Sequence, residues 1–113
     1  MIAGRFDERP EEQVTHYGST GTTIRRLIHT DNGARTFAMR RFMVQPGGEI
    51  PLHGHEADHE IYILSGKGVA FTSEQDVEIE ADMFLYVPPN EKHGYRNTGE
   101  TPLVFICVIP LLD

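Results

Sequence analysis

His53, His55 and His59 place three of the chain's six histidines within seven residues, in the stretch PLHGHEADHEIYILSG from Pro51 to Gly66. A buried imidazole standing alone needs its own hydrogen-bond partner, whereas several neutral rings brought together can be satisfied at once by one divalent cation. In an extended strand residues two apart face the same way, so His53 and His55 project to one side. His59 opens the apolar run that follows and shares parity with Ile61 and Ile63, which points it inward. A fourth ligand should come from a different strand, and the turn PPNEKHGYRN supplies His93. His16 and His29 have no histidine neighbour and no motif, and read as solvated residues. No Ser-His-Asp set, Cys-His nucleophile or phosphate-cradling glycine loop is evident.

The elements that must position these side chains are strands. TTIRRLIHT (22–30), TFAMRRFMVQ (36–45), EIYIL (60–64), GVAFTS (68–73), DVEIEA (76–81), MFLYV (83–87) and LVFICVI (103–109) are short and rich in β-branched and aromatic residues. The breaks between them, DNGA, PGG, SGKG, PPNEKHG and NTGETP, carry turn chemistry. RPEEQ, starting at Arg9, is the one place where a short helical turn could begin. The pattern predicts an all-β fold, a small barrel or double-sheet jelly roll. Residues 1–20 form an N-terminal arm or edge strand, and residues 21–113 a single barrel domain.

The formal net charge of −7 repels nucleic acid phosphates and anionic lipid. The basic doublets Arg25-Arg26 and Arg40-Arg41 lie on strands whose alternation sends their side chains to opposite faces, so they make no basic patch. No apolar run approaches the roughly 20 residues of a membrane span, and the start MIAGRFDERPEEQ lacks a signal-peptide pattern. Neither nucleic acid nor membrane is an expected partner, and the expected location is cytoplasmic. Cys107, the only cysteine, permits no internal disulfide.

These residues resemble the cupin superfamily, whose two motifs line a metal site inside a small double-stranded β-helix, a jelly-roll barrel. The first motif is matched by Gly47, His53, His55, His59 and Gly66, with histidine where the family usually has glutamate. Glu60 could take the glutamate position under a longer spacing, but strand alternation favours His59. The second motif is matched by Pro88, Asn90, His93 and Asn97. Asn90 replaces a glycine at a left-handed turn position that Asn tolerates, and Asp82 stands where a leading glycine is expected. The runs FAMRRFMVQPGG, HEIYILSGKG, PNEKHGYRN and FICVIP are similar to those of small single-domain cupins with four-histidine sites. That likeness implies manganese or iron, oxygen or peroxide chemistry, and a homodimer. Copper, nickel, cobalt and zinc also accept imidazole.

Four neutral imidazoles leave a metal's charge uncompensated, and an octahedral ion would keep two positions open. The resulting expectation is an oxidoreductase, of the dioxygenase or peroxide-using type, acting on a small, largely apolar organic molecule. By parity the wall of its pocket is drawn from Phe42, Ile50, Tyr95, Phe105, Cys107 and Ile109. Cys107 also reads as a small buried hydrophobe, and Arg40 either holds an anionic group or forms an outward salt bridge. One of Glu49, Glu56, Asp58 and Glu60 is a candidate to accept a hydrogen bond from the outer nitrogen of a ligand histidine. The alternatives are a metal-dependent isomerase or epimerase, a small-ligand-binding or sensor module, and a structural metal.

Overall fold

The structure is a computed structural model and describes residues 1–112. Among these residues there is no α-helix, only nine strands and three short 3-10 turns, one before the first strand and two between strands. The strands are β1 (Glu11–Gln13), β2 (Thr20–Ile28), β3 (Phe37–His53), β4 (His59–Ser65), β5 (Lys67–Thr72), β6 (Asp76–Glu80), β7 (Phe84–Val87), β8 (His93–Arg96) and β9 (Leu103–Pro110). They form one antiparallel sheet in the order β6-β5-β8-β3-β9-β4-β7, with β2 also paired to β3 and β1 to β2.

β3 is the spine, and it differs from the expectation in length. The Pro46-Gly47-Gly48 break does not end the strand. It bends it: Gly47 takes φ +81° and donates its N–H to the Asn97 carbonyl. The first half of β3 pairs with β9 from Phe37 to Val44, and the second half pairs with β8 from Glu49 to His53. Two arms therefore leave one strand, β9-β4-β7 and β8-β5-β6, and the sheet curls into the jelly roll. The N–H of Asp82, itself at φ +71°, donates to the Ile63 carbonyl and ties the β6–β7 turn back to β4. The residue standing in for the expected glycine thus adopts the glycine conformation.

Alternation fills the space between the arms. On β4, His59, Ile61 and Ile63 are buried while Glu60, Tyr62 and Leu64 are exposed. Val44 and Ile50 from β3, Ile79 from β6, Tyr95 from β8 and Leu103, Phe105 and Cys107 from β9 complete the core. Burying each large aliphatic or aromatic side chain contributes about 1.5–3 kcal/mol.

RPEEQ does not form a helical turn, and the arm is not loose. Glu11–Gln13 pairs with Thr23–Arg25, Glu12 forms an ion pair with Arg26, and Glu11 lies 3.6 Å from Arg25. Opposite charges across neighbouring strands favour this register. Phe6 anchors the segment from outside, beneath the Arg41 guanidinium at 3.9 Å. The doublets split between faces as alternation requires: Arg26 and Arg40 line the interior cavity, while Arg25 and Arg41 lie over Phe6.

Candidate metal centre

The four histidines gather at one end of the curled sheet because strand pairing brings them there. His53 closes β3 and sits directly across from His93, the first residue of β8. His59 opens β4 opposite Val87. His55 lies in the intervening loop, whose carbonyl at His55 accepts the Asn90 N–H at 2.8 Å. Asn90 holds φ +66° in that turn, the left-handed position expected of it. Asn97 is buried and braces the other side, donating its amide to the carbonyls of Val44 and Thr101 and accepting the Gly99 N–H, each at 2.8 Å.

The imidazoles are keyed by backbone carbonyls. Nδ1 of His53 lies 2.8 Å from the Pro51 oxygen, Nδ1 of His55 2.8 Å from that of Ala57, and Nδ1 of His93 2.8 Å from that of Glu91. A carbonyl only accepts, so each Nδ1 carries the hydrogen and each neutral ring keeps Nε2 as a free lone pair. The Nε2 of His93 is buried with no partner. Ligand atoms of His53, His55 and His93 lie within 4.8 Å of one another and could hold a metal ion. An orphaned buried nitrogen beside two other tautomer-locked rings is the donor set a divalent cation satisfies.

His59 differs from the other three. Its ring stacks on His55 at 4.2 Å between centroids and meets His93 edge-on at 5.4 Å, yet it does not join the mutually close set. Burial pushes its pKa down to about 2, reinforced by Arg40 and the other three imidazoles. His93 is pushed down to about 4, again chiefly by burial, against the opposing pull of the Glu91 carbonyl. His53 is lowered by burial as well. His53, His59 and His93 are thereby held neutral, the state in which imidazole binds metal.

The acidic residues take no part in orienting these rings. Glu60 faces outward, away from His59, and Asp58 accepts the Tyr86 hydroxyl at 2.9 Å. The carbonyls of Pro51, Ala57 and Glu91 take the role for which one of Glu49, Glu56, Asp58 and Glu60 was a candidate.

A cavity of about 310 Å³ opens beside the cluster. His53, His55 and His59 line it together with all of Arg40, Phe42, Ile50, Tyr95, Phe105, Cys107 and Ile109. His93 borders instead a smaller cavity of about 70 Å³, and Tyr95 lines both. Among the described residues Arg40 forms no outward salt bridge. Its Nη2 lies 3.2 Å from the Cys107 sulfur and its guanidinium 5.1 Å from the Phe42 ring centroid. Burial raises the Cys107 thiol, so it is a neutral acceptor there.

The arm supplies residues that sequence reasoning missed. Glu12, Gln13, Val14, His16, Tyr17 and Ser19 line the cavity's mouth. His16 is exposed, as a solvated residue should be, and also lines the cavity. Tyr17 stacks on His53 at 4.3 Å with the rings 14° apart, and does so from a left-handed backbone, φ +60°. No local pattern announces this, because the β1–β2 and β2–β3 pairings that fold the arm across the mouth are long-range.

The comparisons with known proteins agree with this architecture. Residues 40–109 match the Cupin_2 family, the cupin domain. The oxalate-binding protein of Thermotoga maritima is 44% identical over 82 residues, which is 72% of this chain and 66% of that protein. Among solved structures, the polyketide cyclase RemF of Streptomyces resistomycificus has a TM-score of 0.91 at 31% identity, covering 97% of this chain and 79% of that one. A predicted oxalate decarboxylase from Thermotoga maritima has a TM-score of 0.84 at 32% identity, covering 98% of this chain and all of that one. With the family match spanning well over half its length, and with the jelly roll already traced, this chain belongs to the cupin family.

Proposed function

We propose that His53, His55, His59 and His93 hold one divalent transition metal, manganese or iron ahead of copper, nickel, cobalt or zinc. On this reading the protein is an oxidoreductase, dioxygenase-like or peroxide-using, acting on a small organic substrate. One observation carries the metal: the Nδ1 positions of His53, His55 and His93 are all occupied by backbone carbonyls, which leaves their Nε2 lone pairs, one of them buried and unpartnered, for a cation. His59 is the fourth ligand on this reading, by its inward parity and its stacking on His55.

When bound, such an ion supplies Lewis acidity and open coordination positions. The chain's own contribution is electrostatic and steric. Four neutral rings leave the ion's charge uncancelled, and Arg40 adds a positive charge to the same cavity. Phe42, Phe105 and Tyr95 form an aromatic wall that holds an organic body and keeps water out.

The likeness to RemF favours a second, non-redox reading, in which metal-held substrate is cyclised or isomerised. That chemistry needs a base, and His16 is the one cavity-lining imidazole outside the four. The 44% identity to an oxalate-binding protein supports binding without turnover. Supplying the manganese- or iron-loaded protein with dioxygen or peroxide and a panel of small organic substrates tests the reading. Consumption of oxidant coupled to substrate loss, abolished in His93→Ala, is the expected result; binding with no oxidant consumed would sink the oxidative reading.

The exposed Tyr62, Leu64, Phe84 and Tyr86 on β4 and β7 support a homodimer, and the single buried cysteine is compatible with a cytoplasmic setting. A single-chain mass by light scattering would refute the dimer.

A further inference from the structure

Four buried side-chain nitrogen or oxygen atoms have no hydrogen-bond partner among the described residues, namely Arg25 Nε, Arg40 Nε, His93 Nε2 and Tyr95 Oη. Arg25 lies over Phe6 on the outer face, and His93 belongs to the imidazole cluster. The other two, Arg40 and Tyr95, line the same large cavity. A buried hydroxyl or guanidinium N–H left unpaired costs about 1–3 kcal/mol, so two on one cavity wall point to something that pairs with both.

The charge balance narrows what that is. The other cavity-lining cation, Arg26, is ion-paired with Glu12. Arg40 has no carboxylate within ion-pair distance among the described residues. A protein of net charge −7 therefore keeps on its cavity wall a half-buried guanidinium with no carboxylate partner among the described residues, beside imidazoles that carry no negative charge. Water can accept from both groups but brings no counter-charge.

The neighbours hold both donors in place. Cys107 sits across from Arg40 in the β3–β9 register and accepts its Nη2, leaving the Nε–H unused. Tyr95 packs against Phe105, with ring centroids 5.1 Å apart, which fixes its phenolic O–H, an ordinary hydrogen-bond donor, with no partner. Both groups are donors, and a carboxylate, which only accepts, is the ligand end that suits them together.

We infer that Arg40 and Tyr95 form a carboxylate-binding subsite, with Cys107 as the residue positioning Arg40, so that the ligand of this cavity is a small organic acid anchored here while the rest of it extends toward the histidines. The placement of the far end rests on the metal reading above; the carboxylate subsite does not.

Titration calorimetry on the manganese-loaded and metal-free protein, with metal content measured on every sample, separates the two. The probes are oxalate, pyruvate and salicylate, each against its uncharged amide. At least one carboxylate should bind wild type about tenfold or more tightly than its amide, since a charge-assisted hydrogen bond is worth that much. Arg40→Gln should weaken it about tenfold or more and Tyr95→Phe about fivefold, with metal content and melting temperature unchanged.

Equal affinity for acid and amide, unchanged binding in Arg40→Gln, or no carboxylate bound by the metal-loaded wild type would each overturn the subsite. Should the protein take up no metal while carboxylate binding still depends on Arg40, the subsite stands and the metal reading falls. If Arg40→Gln melts early, Tyr95→Phe and the acid–amide comparison on wild type decide.

Discussion

At the residue scale, the cluster is set by what lies two positions from each ring. His53, His55 and His93 each hydrogen-bond a carbonyl at that distance along the chain, Pro51, Ala57 and Glu91. The histidines of the cluster and the inward parity of His59 were legible in the sequence. The carbonyl partners were not, because they depend on local loop conformation. Holding the rings neutral has a pH consequence. In the metal-free protein His93 and His59 have folded pKa values of about 4 and about 2, below the ordinary 6.5. The unfolded chain then binds more protons below pH 6.5, so stability is fully present above that pH and falls as pH drops toward 4 and beyond. Urea midpoints of the metal-free protein should be lower at pH 5 than at pH 7.5, a range in which carboxylates titrate little. An unchanged or higher midpoint at pH 5 would mean the imidazoles are not buried neutral.

At the element scale, most strands could be placed from two-residue alternation, yet β3, β8 and β1 were misjudged for reasons that share a cause. Gly-Pro punctuation reads as a turn, but at Pro46-Gly47-Gly48 the flanking β8 and β2 supply partners that carry the strand through the bend. His93–Arg96 is strand because β3 and β5 enclose it on both edges, information absent from its own four residues. The bends depend on two devices. Gly66 turns β4 into β5 at φ +86°, and a Cβ there would stand 2.3 Å from the Pro102 carbonyl oxygen. Asn97 ties the β8–β9 connection to Val44 on β3. Gly66→Ala should cost about 2 kcal/mol or more through left-handed strain and backbone clash, and Asn97→Ala about 2–3 kcal/mol by leaving buried groups unpaired. Chemical denaturation measures both. A loss below about 0.5 kcal/mol in either would show that the bend is held by packing alone.

At the scale of the whole molecule, an acidic chain encloses a cavity whose unbalanced charge is positive, with the histidine cluster at its side and the arm across its mouth. The jelly roll followed from the strand pattern and the two motifs together, and the cavity wall on β3 and β9 from parity. The arm's place over the mouth did not, since it is fixed by pairings distant in sequence. The claim on which the functional account depends is that these histidines hold a metal. Its most direct test is elemental analysis of protein purified without a histidine tag or added metal, comparing wild type with His53→Ala, His55→Ala, His59→Ala, His93→Ala and the outward-facing control Glu60→Ala. The account predicts near-stoichiometric manganese or iron in wild type and Glu60→Ala, and a loss of about tenfold or more in affinity in each histidine variant. Metal absent from wild type, or occupancy indifferent to all four histidines, would contradict it.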